Sequence, residues 1–187
     1  MQINLSFFRA VRRKSPQSWV KMGKEERKYF VSLRWLYLKY IKKMKIYRAK
    51  EATTQLIEAF GRLLPQLSSS ATTVTAEHLD NLLSSSNTHL LVAEIDGTIA
   101  AMLSLVMVDI PTGRKAWIED VVVEDIFRGR NLGFELVEHA KNLATELGAK
   151  KIYLTSNPSR KAAHALYHKC GFEIYETTLF RLNLGAK

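Results

Sequence analysis

The sequence of 187 residues predicts an α/β domain in which helices flank a mixed, mostly antiparallel central sheet, preceded by a basic helical extension. Three observations lead to this fold class. β-Branched apolar runs of strand length occur between segments whose apolar residues recur at helical spacing. Asp96-Gly97, a dipeptide typical of tight hairpins, separates two of these runs. Apolar residues make up 47% of the chain, which is enough to form a core without disulfides or metal ions.

The predicted helices share an apolar face at i, i+3 and i+4 spacing and a start or stop signal. Pro65 should end the first helix, and Thr75 should cap the second. Gly148 and Gly171 should follow the third and the fourth. The four predicted helices are 51–64, 76–84, 131–147 and 159–169.

The predicted strands are rich in β-branched residues and are bounded by turn residues. Three of them follow one another without a helix, joined by Asp96-Gly97 and by the turn at 111–113, so they should pair antiparallel. A strand after the third helix makes the sheet mixed, and one more is expected near the C-terminal end. The six predicted strands are 45–48, 89–95, 98–109, 116–124, 151–155 and 174–184.

The net charge of +10 lies entirely in the first part of the chain, since residues 44–187 contain equal numbers of acidic and basic side chains. We therefore expect a basic extension over 1–43 and a neutral domain over 44–187. Residues 24–44 fit a basic amphipathic helix, for which four interpretations are open. It could bind a membrane surface or a partner, act as a targeting segment, pack on the domain, or precede the native start at Met44.

The composition also excludes several classes of function. Cys170 is the single cysteine, which rules out a disulfide framework and a multi-cysteine zinc site and fits a cytoplasmic location. His164 and His168 have a metal-ligand spacing, but a solvated helix face explains them better, and no metal site is predicted. No apolar run is long enough to span a membrane, and the neutral domain gives no reason to expect a nucleic-acid partner.

The most informative segment is 118–133, IEDVVVEDIFRGRNLG, in which a strand leads through a short turn into a helix. Glycines, two arginines and the unsatisfied amides at the start of a helix together form a site for a phosphate or pyrophosphate. We refer to residues 128–133, Arg-Gly-Arg-Asn-Leu-Gly, as the phosphate loop. A tight connection without a ligand is the alternative. The loop lacks the Gly-Lys-Ser/Thr of a P-loop and the three glycines of a dinucleotide fold.

Two motifs in this order resemble the GCN5-related N-acetyltransferase (GNAT) superfamily. Arg128 and Gly133 match the ends of its Arg/Gln-x-x-Gly-x-Gly/Ala loop, and Asn131 stands where the family usually has its middle glycine. Residues 154–172 resemble the family's strand, its bend with an asparagine and its Ala-x-x-Leu-Tyr-x-x-x-Gly-Phe helix. The resemblance covers about residues 44–184 and implies a GNAT-type sheet, with 44–187 as the acyltransferase domain.

The resemblance implies acetyl-CoA as the cosubstrate and no metal. The main chain of Val121, Val122 and Val123 would bind the pantetheine arm, and Asn157 would bond that arm or stabilise the bend. The amides of the phosphate loop would hold the pyrophosphate. The implied loop residues are Arg128, Gly129, Arg130, Asn131, Leu132 and Gly133.

The resemblance also implies two catalytic residues for the attack of an amine on a thioester. Glu119 occupies a position where several superfamily members hold a carboxylate near the amine, including members that act on aminosugar phosphates. It would accept the amine proton, whereas we assign Asp120 a structural role. The alternative is that one acid is a structural hydrogen-bond acceptor and the other is solvated at a sheet edge. Tyr167 matches the family tyrosine that protonates the leaving thiolate.

These residues predict an N-acetyltransferase that moves an acetyl group from acetyl-CoA to a primary amine by direct attack in a ternary complex. The acceptor is a small-molecule amine or a protein amine, and analogy with the family allows a homodimer. The alternative is a non-catalytic acyl-CoA-binding or regulatory module on the same fold, which the departure at Asn131 leaves open.

Overall fold

The computed structural model describes residues 44–68 and 74–184, together with Gly23, Lys28 and Ser32. The predicted basic helix over 24–44 therefore lies almost entirely outside the described residues, and Met44 begins a strand. The proposed boundary between an extension and a domain stays a prediction.

Five strands form one sheet in the order β1-β2-β3-β4-β5. β3 pairs antiparallel with β4, and β4 pairs parallel with β5, so the sheet is mixed as predicted. Asp96 and Gly97, with φ of 49° and 81°, form the predicted turn between β2 and β3. The strands are β1 Met44–Arg48, β2 Thr88–Ile95, β3 Thr98–Ile110, β4 Gly113–Val123 and β5 Ile152–Leu154.

Within residues 44–68 and 74–184, four helices flank the sheet, and a short 3₁₀ turn, Asp125–Phe127, follows β4. The side chains of Thr53 and Thr75 cap the first two helices by accepting from the amides of Leu56 and His78. The helices are α1 Thr54–Leu67, α2 Ala76–Ser84, α3 Leu132–Glu146 and α4 Lys161–Lys169.

The prediction that Pro65 ends the first helix was wrong, because Pro65 lies inside α1, which continues to Leu67. A proline in the last turn removes one hydrogen bond. Leu64 and Leu67 pack against the core from this turn, and burial of apolar side chains offsets that loss. The amide of Ser68 then donates to the carbonyl of Leu64 and closes the helix.

The predicted strand over 174–184 was also wrong, since residues 173–183 form neither helix nor strand. An alternating apolar pattern specifies which face of a strand would be buried, but it does not supply a neighbouring strand for the backbone. Large apolar side chains are consequently exposed along this segment, at Ile174, Tyr175, Leu179, Phe180, Leu182 and Leu184.

The chain divides into two compact units, one of residues 1–45 and 94–98 and the other of residues 46–93 and 99–187. The second unit contains α1 to α4, β4 and β5. Within it, α1 and α2 bury leucines against one face of β3 and β4, where Met102 and Val122 lie. α3 also contacts β4 and is buried along Leu136, Val137, Ala140 and Ala144.

Candidate active site

A β-bulge in β4 sets the direction of the acidic side chains. Met102 of β3 faces Val122 of β4, whereas Ser104 faces Glu119, so β4 has one extra residue in this interval. Asp120 has a φ of 53°, which places it in the left-handed region. Since residues directly opposite each other share a face of the sheet, Glu119 lies on the same face as Val122, three residues away. Simple alternation would have put these two side chains on opposite faces.

The pairing of β4 with β5 ends early. The parallel register runs from Ala116 and Ile152 to Ile118 and Leu154, while β4 continues to Val123. The main chain of Val121, Val122 and Val123, which we expect to bind pantetheine, thus lies beyond the end of β5. Within the described chain, the carbonyl of Val123 accepts a hydrogen bond of 3.1 Å from Nε of Arg128.

The backbone of the phosphate loop has the conformation that an anion site requires. Gly129 and Asn131 have φ of 74° and 67°, so Asn131 takes the left-handed conformation expected of it. Asn131 precedes α3 but makes no side-chain cap bond to it. The first amides of α3 therefore have no acceptor within the helix and none from a cap. Leu132 is 1% exposed, so its side chain anchors the loop and only its main chain is available.

The two loop glycines serve different purposes. A Cβ at Gly133 would lie 3.1 Å from Cδ2 of Leu166 and 3.6 Å from Cγ2 of Val123, so this glycine allows α3 to pack closely on α4 and β4. A Cβ at Gly129 would meet nothing within 4 Å, and its requirement comes from the positive φ. Gly133 thus serves helix packing, and Gly129 serves the backbone conformation of the loop.

The two loop arginines also differ. The Nη2 atom of Arg128 lies 2.6 Å from Oδ1 of Asp125, so its charge is paired within the turn. The guanidinium of Arg130 lies 5.3 Å from the centroid of the Phe127 ring, and its side chain is exposed. Arg130 is thus an exposed, positively charged residue of the phosphate loop.

Asn157 shapes the bend before α4. Its Oδ1 atom accepts from the amide of Ser159 at 2.9 Å and from its hydroxyl at 2.8 Å. These are the bonds expected if Asn157 stabilises the bend, while a contact with pantetheine stays a prediction. Arg160, which follows the bend, donates from Nη2 to the carbonyl of Leu67 at 2.7 Å.

Glu119 lies on β4 and Tyr167 on α4. Partial burial, and then the neighbouring carboxylate of Asp120, raise the pKa of Glu119 above its ordinary value. Burial is the main cause that raises the pKa of Tyr167, and the carboxylate of Glu119 acts in the same direction, against Arg160. The two side chains therefore influence each other electrostatically.

An aromatic surface that the sequence did not predict adjoins Glu119. The register places Lys115, Trp117 and Glu119 on one face of β4, and none of these side chains is buried. Trp117 stacks on Tyr153 of β5, with ring centroids 5.4 Å apart. The side chains of Ala116 and Ile118, on the other face, are buried. We refer to Trp117 and Tyr153 as the aromatic surface.

The remaining candidates have structural explanations. Cys170 is 3% exposed, and burial, with smaller effects from nearby charges, raises the pKa of its thiol to about 11, so it is unreactive.

Across residues 44–68 and 74–184, no group of three or more metal-ligating side chains is found. No helix in the described part of the chain is long and apolar enough to cross a membrane.

Comparison with known proteins identifies the family of the chain. The model of the acetyltransferase (GNAT) family matches residues 52–172, which is more than half of the sequence. The chain belongs to the GNAT family. The match contains β4, the phosphate loop and the helix with Tyr167, and the sheet flanked by helices is the fold of this family.

Several GNAT proteins are similar to the chain. Glucosamine 6-phosphate N-acetyltransferase 1 of Dictyostelium discoideum is 38% identical over 61 residues, which are 33% of this chain and 37% of that protein. The chain thus spans about a third of the length of the curated relatives it matches.

Solved GNAT structures show the same fold. The glucosamine-6-phosphate N-acetyltransferase of Arabidopsis thaliana is 26% identical with a TM-score of 0.60, over 74% of this chain and 97% of that one. An aminoglycoside acetyltransferase from an uncultured soil metagenomic sample, solved with sisomicin, is 18% identical with a TM-score of 0.68, over 77% and 98%.

Proposed function

We propose that the protein is an N-acetyltransferase that moves the acetyl group of acetyl-CoA to the primary amine of a small molecule. The observation that carries this proposal is a carboxylate, Glu119, on β4 just after its pairing with β5 ends, which acts electrostatically on the phenol of Tyr167 on α4. Glu119 would be the base for the amine and Tyr167 the acid for the thiolate.

The residues present fit the CoA moiety at two places. The left-handed residues Gly129 and Asn131 turn the chain into an uncapped helix N-terminus, which binds pyrophosphate through amides and the helix dipole. Arg130 adds exposed positive charge next to it. The main chain of 121–123 continues past the last pair of β4 and β5 and can bond an extended amide-containing arm, as an added strand would.

Acetyl-CoA supplies a thioester, whose carbonyl carbon gains a bond to the amine nitrogen and loses its bond to sulfur, giving an amide and free CoA. Primary amines are mostly protonated at neutral pH, so Glu119 has to accept a proton, directly or through water. Its raised pKa makes it a better base than an ordinary carboxylate. Tyr167, whose raised pKa keeps it protonated, donates a proton to sulfur and regains one from solvent.

The face of β4 that bears Glu119 is where we place the acceptor. Glu119 and Asp120 attract a cationic amine, and the aromatic surface of Trp117 and Tyr153 can contact the apolar face of a ring. Relatives of the chain are named for glucosamine 6-phosphate and for aminoglycosides, which supports an amine on a sugar ring. We extend that substrate class to this chain as part of the proposal.

The test uses the full chain and two variants, Glu119→Gln and Tyr167→Phe. Acetyl transfer to a panel of aminosugars, aminoglycosides and lysine peptides is followed by release of free thiol, and the Kd for acetyl-CoA by calorimetry. We expect kcat to fall by roughly 10²–10⁴-fold in each variant, the usual contribution of a general acid or base. The Kd should stay within about twofold.

Matched controls are Glu146→Gln at the far end of α3 and Tyr47→Phe on β1, which should leave kcat unchanged. Unchanged turnover in the site variants would remove the roles assigned to Glu119 and Tyr167. Acetyl-CoA binding without transfer to any amine would instead favour a non-catalytic acyl-CoA-binding module. A cytoplasmic location and a homodimer stay predictions.

A further inference from the structure

We propose that Lys169 of α4 holds the side chain of Asn131 away from the N-terminus of α3, so that the amides of the phosphate loop stay open for the pyrophosphate of CoA. Asn131 and Lys169 are positioning residues in this arrangement, which rests on the proposed function. Asn131 is also the one position where the loop departs from the family's glycine pattern.

The contacts are short and partly buried. The ammonium of Lys169 donates to Oδ1 of Asn131 at 2.6 Å, and Nδ2 of Asn131 donates to Oε1 of Glu135 at 3.0 Å. The same ammonium lies 4.0 Å from the centroid of the Phe134 ring. Both hydrogen-bonding groups of the Asn131 side chain are therefore engaged away from the helix amides.

This arrangement matters because asparagine in front of a helix ordinarily behaves otherwise. An N-cap asparagine accepts from the second or third helix amide, which would occupy a donor that an anion needs. Here the left-handed backbone and the bond to Lys169 keep that oxygen away, and no cap bond forms. Glycine at this position would keep the backbone conformation, but it would leave the loop without its attachment to α4.

Lys169 also joins the loop to the catalytic helix. Tyr167 lies two residues earlier on α4, so the bond to Asn131 links the element that carries the proposed acid to the loop that binds CoA. Its charge beside the start of α3 is of the sign that favours a bound phosphate. Glu135, in the first turn, pairs with the amide group of Asn131.

The experiment is a double-mutant cycle on ligand binding with the full chain. The variants are Asn131→Gly, which keeps the left-handed backbone, Lys169→Met, and the double variant. We expect Lys169→Met to weaken CoA binding by roughly tenfold, because the released Asn131 oxygen can then accept from the helix amides. Asn131→Gly has no side chain to occupy those amides, so it should stay within about threefold of the wild type, and the double variant should be no weaker than Lys169→Met alone. Lys169→Arg, which keeps a donor and the charge, should stay within about threefold of the wild type.

Two controls separate this role from a loss of structure. Pantetheine lacks the pyrophosphate, so its affinity, measured by ligand-observed NMR, should be unchanged in every variant. Lys161→Met, an exposed change at the first turn of the same helix, should leave CoA binding unchanged. Effects that multiply in the double variant, or that weaken pantetheine equally, would overturn the proposal, as would unchanged CoA affinity in Lys169→Met. A wild-type chain that does not bind CoA would instead contradict the proposed function itself.

Discussion

Asp120 combines a backbone role with an electrostatic one. Its left-handed conformation creates the bulge that turns Glu119 toward the α1 and α2 side of the sheet. Its carboxylate also raises the pKa of Glu119, because two negative charges beside each other disfavour ionisation. The acid that we assigned a structural role on sequence grounds therefore also adjusts the proposed base.

Replacing Asp120 by asparagine separates these roles, since asparagine tolerates the same left-handed backbone. Removing the negative charge lowers the pKa of Glu119, so a lower pH is needed to protonate it. We expect the acidic limb of the kcat/KM profile to move to lower pH in Asp120→Asn, with little change on the neutral plateau. Asp80→Asn, an exposed change on α2, is the matched control. A limb that stays in place, or moves to higher pH, would exclude Glu119 as the titrating base.

At the scale of elements, the packing of α3 on α4 depends on Gly133. Its missing side chain brings the start of α3 next to Leu166, at a distance that a Cβ could occupy only if the leucine moved. Adding a methyl group to a packed site commonly costs about 1–3 kcal/mol. Because Leu166 is a flexible side chain, the cost belongs at the low end of that range.

We therefore expect Gly133→Ala to lower the free energy of unfolding by about 1 kcal/mol in urea titrations. Leu166→Val removes the Cδ atoms that the new methyl would touch, so the double variant should be less destabilised than the sum of the single changes. Gly61→Ala provides a matched control. Gly61 lies in the interior of α1, and a Cβ added there would meet nothing within 4 Å. Strict additivity in the double variant would mean that Gly133 is needed for another reason.

The elements that could be predicted from the sequence are those specified by local signals. Thr75 behaves as a cap, Asp96-Gly97 forms the hairpin turn, and the motif with Asn131 gives the loop its conformation. The bulge at Asp120 was missed, because it is defined by the register against β3 and not by residues of β4 alone. The bond between Asn131 and Lys169 joins residues 38 apart, and no local pattern indicates it.

At the scale of the whole molecule, the aromatic surface of Trp117 and Tyr153 could not be predicted from the sequence either. Trp117 alternates with buried residues along β4, and a core residue would show the same pattern. The face of β4 that bears Trp117 is left uncovered by the placement of the helices, which the sequence of β4 alone does not indicate. The last strand was overpredicted for the opposite reason, since its pattern is correct but no neighbour pairs with it in the described chain. A local pattern of apolar residues thus specifies which face of a strand is apolar, and the packing of the whole fold determines whether other elements cover that face.

The proposed cofactor should stabilise the whole fold. A ligand that binds only the folded chain, present at about 100 times its Kd, adds about 2.7 kcal/mol to the free energy of unfolding. For a chain of this size each kcal/mol raises the melting temperature by about 2–4 °C, so acetyl-CoA should raise it by about 5–11 °C. The charge of the loop should account for part of this shift.

Arg130→Glu tests how much the charge of the phosphate loop contributes to this thermal shift. It reverses the charge of an exposed loop side chain without altering the core. Reversal next to a pyrophosphate should weaken binding roughly tenfold and reduce the thermal shift by about half at the same ligand concentration. Lys150→Glu makes the same change of net charge just beyond the other end of α3, roughly 20 Å away, farther than the Debye length at physiological salt. Equal losses in both variants would mean that only the net charge matters, and the pyrophosphate would then have to bind elsewhere than at the phosphate loop.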